Sequence, residues 1–128
     1  MGDLNTKSDR IIFIIQCTVK SQPNEFQKWI KERASKYVFD LKEEKSLSYE
    51  WHLSHDNKEA TLVESFIDSD GAMQRLVNHA ASPIAAEVME QVDIKSVFCF
   101  GDAKQDLIEA LTAWGAKFQR HVCGFNHT

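Results

Sequence analysis

SYEWHLSHDNKEATLVESFIDSDGAMQRLVNH, residues 48–79, is the stretch of sequence that decides the fold. Apolar and polar residues alternate over Leu47–Ser54 and again over Glu59–Ile67, which is the period of a half-buried β-strand. The residues between these runs, His55–Lys58, include an Asp-Asn pair that suits the positive φ of a tight turn. The stretch therefore predicts a β-hairpin.

Helices are predicted directly after the hairpin. Asp68-Ser69-Asp70 supplies a helix N-cap, and apolar residues then recur at helical spacing as far as His79 and Ala80. Ala81-Ser82-Pro83 interrupts this pattern, and Pro83 is expected to open a second, shorter helix.

The alternation also assigns the hairpin side chains to faces. One face of the first strand carries Leu47, Tyr49, Trp51 and Leu53. One face of the second strand carries Leu62, Glu64 and Phe66. Glu64 thus lies on an otherwise apolar face, and a buried carboxylate needs a partner, for which His79 or Arg75 is the candidate.

Three further segments complete the predicted order of strands and helices. Arg10–Val19 is an isoleucine-rich strand, Pro23–Phe39 has the spacing of an amphipathic helix, and Asp93–Gly101 is another strand. The order β-α-β-β-α-β predicts an α+β, ferredoxin-like fold, in which two helices cover one face of a four-stranded antiparallel sheet. The other face is left bare and partly apolar, and a second copy of the same sheet is its simplest cover. We therefore expect a homodimer that forms through the sheet faces.

The C-terminal part is predicted to extend this core. Asp102–Gly115 has the pattern of a third helix, with Asp102 as its cap and Gly115 at its end. Lys117–Phe125 alternates and is expected to form a short extra strand. The chain is then one domain, residues 1–128, with a core at about 10–101 and an extension at 102–128.

Composition excludes several classes of partner. The net charge is −4 without any block of lysine or arginine, which argues against nucleic acid. The first ten residues lack the apolar run of a signal peptide, and no apolar run is long enough to span a membrane. Three widely spaced cysteines are typical of free thiols in a reducing compartment. The expected location is the cytoplasm, without membrane contact.

The hairpin and the helix after it resemble the antibiotic biosynthesis monooxygenase superfamily, the dimeric α/β barrels. The matching features are a glutamate and an aromatic residue late in the third strand, Glu64 and Phe66, and a capped helix that ends on His79 and is followed by Ser82-Pro83. The resemblance covers residues 10–101, and the tail resembles that of an uncharacterised bacterial branch of the superfamily.

The resemblance implies a cofactor-independent monooxygenase that acts on a small phenolic, quinol-like or polyketide-like aromatic substrate. Such chemistry needs an apolar pocket and a proton acceptor, and neither a cofactor nor a metal. The implied catalytic residues are His79 and Glu64, and Tyr49, Trp51 and Phe66 are the expected substrate-binding residues.

Other interpretations of the same residues remain open at this point. His79 can act as a charge at a helix C-terminus, and Glu64 can be a structural hydrogen-bond anchor. The whole protein can also be a non-catalytic dimer that binds a small ligand or serves as an accessory protein, since fold alone does not settle function.

Overall fold

The computed structural model describes residues 4–127. Its elements follow in the order β1 (Ile11–Val19), α1 (Pro23–Trp29), a π-helical turn (Ile30–Ala34), α2 (Ser35–Asp40), β2 (Ser46–Leu53), β3 (Glu59–Phe66), α3 (Ser69–Ala80), α4 (Ile84–Gln91), β4 (Val92–Phe100), α5 (Gln105–Thr112) and β5 (Lys117–Gln119). None of the helices in this part of the chain has the length and apolar character that a membrane span requires.

The strands form one sheet in the order β2-β3-β1-β4-β5. The first four strands pair antiparallel, and their order and helical connections confirm the predicted ferredoxin-like fold. A tail strand is present as β5, but it ends at Gln119 instead of extending over the predicted Lys117–Phe125. It pairs parallel to β4, so the complete sheet is mixed. This strand covers the edge of β4 at residues 98–100 only, and β2 forms the opposite edge of the sheet.

The core lies between the sheet and the helices as two clusters that meet at Ile15 and Ile94. One cluster is built around Phe13 and Phe66, whose ring centroids are 5.0 Å apart. The other is built around Phe26, which is fully buried. The alternation of the strands explains this arrangement, because every second residue of β1 and β3 faces the helices. In β4 a bulge at Lys95 shifts the alternation, so that Val97 and Cys99 face the helices after it.

The segment predicted as one helix over residues 23–39 continues from α1 through the π-helical turn into α2. Pro23 occupies the first turn, where its missing N–H costs no hydrogen bond. The buried side chains are Phe26, Trp29, Ala34 and Val38. In a π-helical turn the backbone N–H of residue i+5 bonds to the carbonyl oxygen of residue i, so the turn holds one residue more than an α-helical turn. The buried positions therefore step by five residues here, from Trp29 to Ala34, and the apolar stripe stays on the sheet.

The hairpin and its helix form as predicted. Asn57 adopts φ 64° in the turn, and the Asp68 side chain caps α3 by accepting a 2.8 Å hydrogen bond from the Gly71 N–H. Asp68 also accepts a 2.9 Å bond from Lys45, so the cap ties α3 to the segment that precedes β2.

Two local predictions are wrong. Leu47 leaves the apolar face, because the pairing of β2 with β3 shifts between Ser46 and Ser48, and its side chain is 47% exposed. Asp102 does not cap α5, which begins only at Gln105. The Lys104 N–H donates to the Ser69 hydroxyl at 2.9 Å, and this bond holds the chain against α3 before the helix can start.

Candidate functional site

A cavity of about 100 Å³ lies between the sheet and the helices. Its walls are mostly apolar, and its few polar groups come from β2, β3 and α3. The lining side chains are Phe13, Ile15, Cys17, Trp29, Val38, Tyr49, Trp51, Leu62, Glu64, Arg75, Leu76, His79, Ile84, Val88, Ile94, Val97, Leu111 and Trp114. A cavity of about 150 Å³ is known to hold a benzene ring, so this space is on the scale of one aromatic ring.

Tyr49 and Trp51 lie side by side on the cavity wall, two residues apart on β2. The Trp51 indole N–H donates to the Tyr49 hydroxyl oxygen at 2.8 Å, so that hydroxyl keeps its own proton available as a donor. Burial raises the pKa of Tyr49 to about 12, and the phenol therefore stays neutral at ordinary pH. Trp51 also contacts Phe26 and Trp29 edge-on, which fixes its ring.

Glu64 is the acidic group of the cavity. Its side chain is 5% exposed, and within residues 4–127 its carboxyl group makes no hydrogen bond. Burial raises the pKa of Glu64 from its ordinary 4.5 to about 7, although Arg75 lowers it in part. A carboxyl group in this state is present in both protonation forms near neutral pH, which suits it to give or accept a proton.

Arg75 reaches the same cavity from α3, but its ion-pair partner is Glu43 rather than Glu64. Arg75 Nη1 donates to Glu43 Oε1 at 3.0 Å, and Asn78 Nδ2 donates to the other oxygen at 2.7 Å. Both side chains of the ion pair are almost fully buried. Sequence reasoning missed Glu43, because it lies in the charged run 40–46, which has the composition of an exposed connection.

His79 lines the cavity at the last turn of α3. Burial, assisted by the charge of Arg75, lowers the pKa of His79 below its ordinary 6.5 and so favours the neutral imidazole. This shift disfavours a role as a cation at the helix end. The helix end is closed instead by Ser82, whose hydroxyl donates to the His79 carbonyl oxygen at 2.8 Å.

The structure brings together four of the five residues that the sequence singled out. Tyr49, Trp51, Glu64 and His79 all line the cavity, whereas Phe66 does not. Phe66 is fully buried behind the wall and packs on Phe13, so it supports a lining residue without reaching the cavity itself. Phe66 and Glu64 lie on the same face of the strand, and that shared face did not show which of the two lines the cavity and which is buried in the core.

Over residues 4–127, three or more histidine, cysteine, aspartate or glutamate side chains do not come together in a group that could hold a metal ion. Cys17 and Cys99 are buried free thiols whose pKa burial raises to about 11, and Cys123 is free and exposed. The groups in the cavity that can transfer a proton include the carboxyl, imidazole and phenol groups described above.

No protein-family model matches the chain, and no curated protein matches it. Solved structures do match. MupZ from Pseudomonas fluorescens superposes with a TM-score of 0.79 at 15% identity over 96% of this chain and 93% of its own. SnoaB from Streptomyces nogalater, a cofactor-independent oxygenase, superposes with a TM-score of 0.62 at 16% identity over 77% of this chain and 97% of its own.

A third solved structure, protein YjcS, gives a TM-score of 0.54 at 14% identity over 74% of this chain and 99% of its own. Identities this low show the fold alone, and they confirm the ferredoxin-like fold that the sequence resemblance implied. MupZ matches almost the whole chain, so the likeness to it includes most of the C-terminal extension.

Proposed function

We propose that this chain is a cofactor-independent monooxygenase of a small phenolic or quinol-like aromatic substrate, which binds in the cavity between sheet and helices. One observation carries the proposal: Glu64 is a buried carboxyl group, without a hydrogen bond in the described part of the chain, that faces an apolar cavity. The cavity volume of about 100 Å³ favours a single aromatic ring. A multi-ring polyketide would require the helices to move apart.

The first step of the reaction is removal of the phenol proton by the ionised form of Glu64. The resulting anion is a better electron donor than the neutral phenol, and the Arg75 charge stabilises it in a site of low polarity. Because the pKa of Glu64 is about 7, a substantial fraction of the carboxyl groups is ionised at neutral pH.

Oxygen is the oxidant, and the substrate supplies the electrons. The anion transfers electrons to O₂, and a ring carbon forms a bond to one oxygen atom, giving a hydroperoxide. The O–O bond then breaks, the ring carbon loses its hydrogen as a proton, and the outer oxygen leaves as water. The sum is phenol plus O₂ giving quinone plus water. The neutral hydroxyl of Tyr49 is the donor proposed to bind the substrate oxygen, and His79 is proposed to relay the second proton.

SnoaB supports the proposal, since it has this fold and is a cofactor-independent oxygenase. Its identity to this chain is only 16%, so the main support comes from the composition of the cavity.

The proposal is tested by oxygen uptake with a panel of hydroquinones and phenols, comparing the native chain with Glu64→Gln and His79→Ala. We expect Glu64→Gln to lower kcat at least about a hundredfold, the usual contribution of a general base. Glu59→Gln is the matched control, because Glu59 lies on the same strand and is exposed. Native protein that consumes no oxygen with any of these substrates would remove the oxygenase proposal.

The second candidate is a protein that binds a small aromatic ligand without oxygen chemistry. The mostly apolar wall of the cavity favours it equally well, because such a wall binds an aromatic ring whether or not a reaction follows. Quenching of tryptophan fluorescence by the same phenols, without oxygen uptake, would support this candidate. Conversion of a ligand without oxygen uptake would instead indicate a proton-transfer reaction at Glu64.

The assembly proposed for either function is a homodimer in which the open sheet faces pack together. The uncovered face carries Ile14, Val63 and Phe98 at its centre, and no helix of residues 4–127 packs on it. The arrangement as a single domain with a C-terminal extension, the absence of cofactors and the cytoplasmic location remain proposals as well.

A further inference from the structure

A second pocket, of about 300 Å³, lies where the N-terminal segment meets the C-terminal tail at one end of the sheet. It shares no lining residue with the cavity that contains Glu64. Its lining side chains and backbone belong to Asn5, Ser8, Arg10, Ile12, Phe100, Gly101, Gln119, Arg120, His121, Cys123, Gly124, Phe125 and Asn126.

Backbone and side-chain hydrogen bonds hold the walls of this pocket. Asn5 and Gly124 exchange backbone hydrogen bonds of 2.6 and 3.0 Å, which join the two ends of the chain. The Gly101 N–H donates to the Gln119 carbonyl at 2.8 Å, and Arg10 Nη1 donates to Asn126 Oδ1 at 3.3 Å. The pocket is therefore framed by paired backbone on two sides.

Among the described residues, the charged side chains that line the pocket are of one sign. The chain has four arginines. Arg33 and Arg75 form ion pairs with carboxylates, at 2.8 and 3.0 Å. Within residues 4–127 the other two, Arg10 and Arg120, have no carboxylate within 4.0 Å, and both line this pocket, which has no acidic lining residue.

Aspartates do occur close by in the sequence, at Asp9 and Asp102, but neither lines the pocket. Two guanidinium groups that pair with no carboxylate of the described residues fit a planar or tetrahedral oxyanion, to which each can donate two parallel hydrogen bonds. The remaining wall is mixed: Ile12, Phe100 and Phe125 are apolar, and they lie beside polar groups such as Gln119 and His121. Such a wall suits a ligand whose anionic head is attached to an apolar body.

We propose that this pocket binds a small molecule with an oxyanion head, a phosphate or a carboxylate, on an apolar body. Arg10 and Arg120 hold the head, and the apolar side chains contact the body. The inference is independent of the proposed oxygenase function, because the two cavities have no residue in common.

Isothermal titration of the full chain with inorganic phosphate, phenyl phosphate and benzoate tests the site. We expect saturable binding of one phenyl phosphate per chain, at least tenfold tighter than inorganic phosphate. Benzoate reports whether a carboxylate head is accepted in place of the phosphate. The double variant R10Q/R120Q should weaken phenyl phosphate binding at least tenfold.

Arg33→Gln is the matched control, since Arg33 is an exposed arginine that lies far from this pocket in the sequence and pairs with Glu87. If R10Q/R120Q does not fold, as judged by circular dichroism, Arg120→Gln alone replaces it, because that side chain is exposed. Absence of saturable binding by both phenyl phosphate and benzoate, or an equal loss in Arg33→Gln, would overturn the proposal. A third outcome would also overturn the proposal: the native protein does not bind phosphate, and R10Q/R120Q changes the oligomeric state. An acidic group of a second copy would then fill the pocket.

Discussion

At the scale of single residues, Glu64 links the chemistry of the cavity to the stability of the fold. Its pKa is raised from 4.5 to about 7, so the folded chain holds this proton more tightly than the unfolded chain. The contribution to stability is complete below about pH 4.5 and is lost as the pH rises to about 7. The full change is on the order of 3 kcal/mol, at 1.36 kcal/mol for each pKa unit.

We therefore expect Glu64→Gln, which cannot ionise, to gain stability relative to the native chain as the pH rises from 4.5 to 7, and to gain nothing further above pH 8. Urea unfolding of both proteins at several pH values measures this difference. The pairwise comparison cancels the titration of the distant surface groups to first order. A difference that does not change with pH would show that Glu64 is already ionised in the folded protein.

The residues of the site differ in how far the sequence could predict them. Alternation along β3 placed Glu64 inside, because a period of two fixes the face of every side chain of a strand. Glu43 could not be predicted, since it lies in a loop without a period and only tertiary packing brings it to Arg75. Whether Phe66 or Phe13 lines the cavity depends on how the rings pack, which no spacing along the chain encodes.

At the scale of elements, Gly101, the residue directly after β4, controls how closely β4 and the N-terminal segment approach each other. Gly101 has φ 112°, a region that residues with a side chain rarely adopt. A Cβ atom at this position would contact the Arg10 carbonyl oxygen at 2.3 Å, so substitution forces β1 and β4 apart. The glycine therefore permits both the turn after β4 and the close approach of the N-terminal segment.

We expect Gly101→Ala to destabilise the fold by at least about 2 kcal/mol, from backbone strain and steric overlap together. Gly124→Ala is the control, because a Cβ atom there meets nothing within 4 Å. Thermal unfolding of the two variants and the native chain measures both effects. Equal melting temperatures for the two variants would show that the end of β4 can relax at little cost.

The elements themselves were predicted well, and their ends less well. Periodicity identifies the strands and helices because each buries one face. The end of an element depends on local bonds instead, as the bulge at Leu47 and the delayed start of α5 after Lys104 show. The parallel pairing of β5 was also beyond the sequence, because alternation indicates a strand without indicating its direction.

At the scale of the whole molecule, the uncovered sheet face is the feature that the chain alone does not explain. Ile14 lies at its centre, paired with Val63 on one side and Phe98 on the other, and these side chains are only half-buried. An apolar strip of this kind is commonly an interface between protein chains. Two chains related by a two-fold axis would bury the strip against itself.

We expect the native chain to have a mass of twice 14.7 kDa by light scattering at micromolar concentration. Ile14→Lys should give the mass of one chain, because burying a lysine charge in the interface costs more free energy than leaving it exposed to water. Its circular dichroism spectrum should stay unchanged. Val77→Lys is the matched control and should remain dimeric, since Val77 is 52% exposed on α3, on the helical side of the sheet. A native chain that is monomeric at this concentration would contradict the proposed dimer, and a dimer that survives Ile14→Lys would place the interface on another surface.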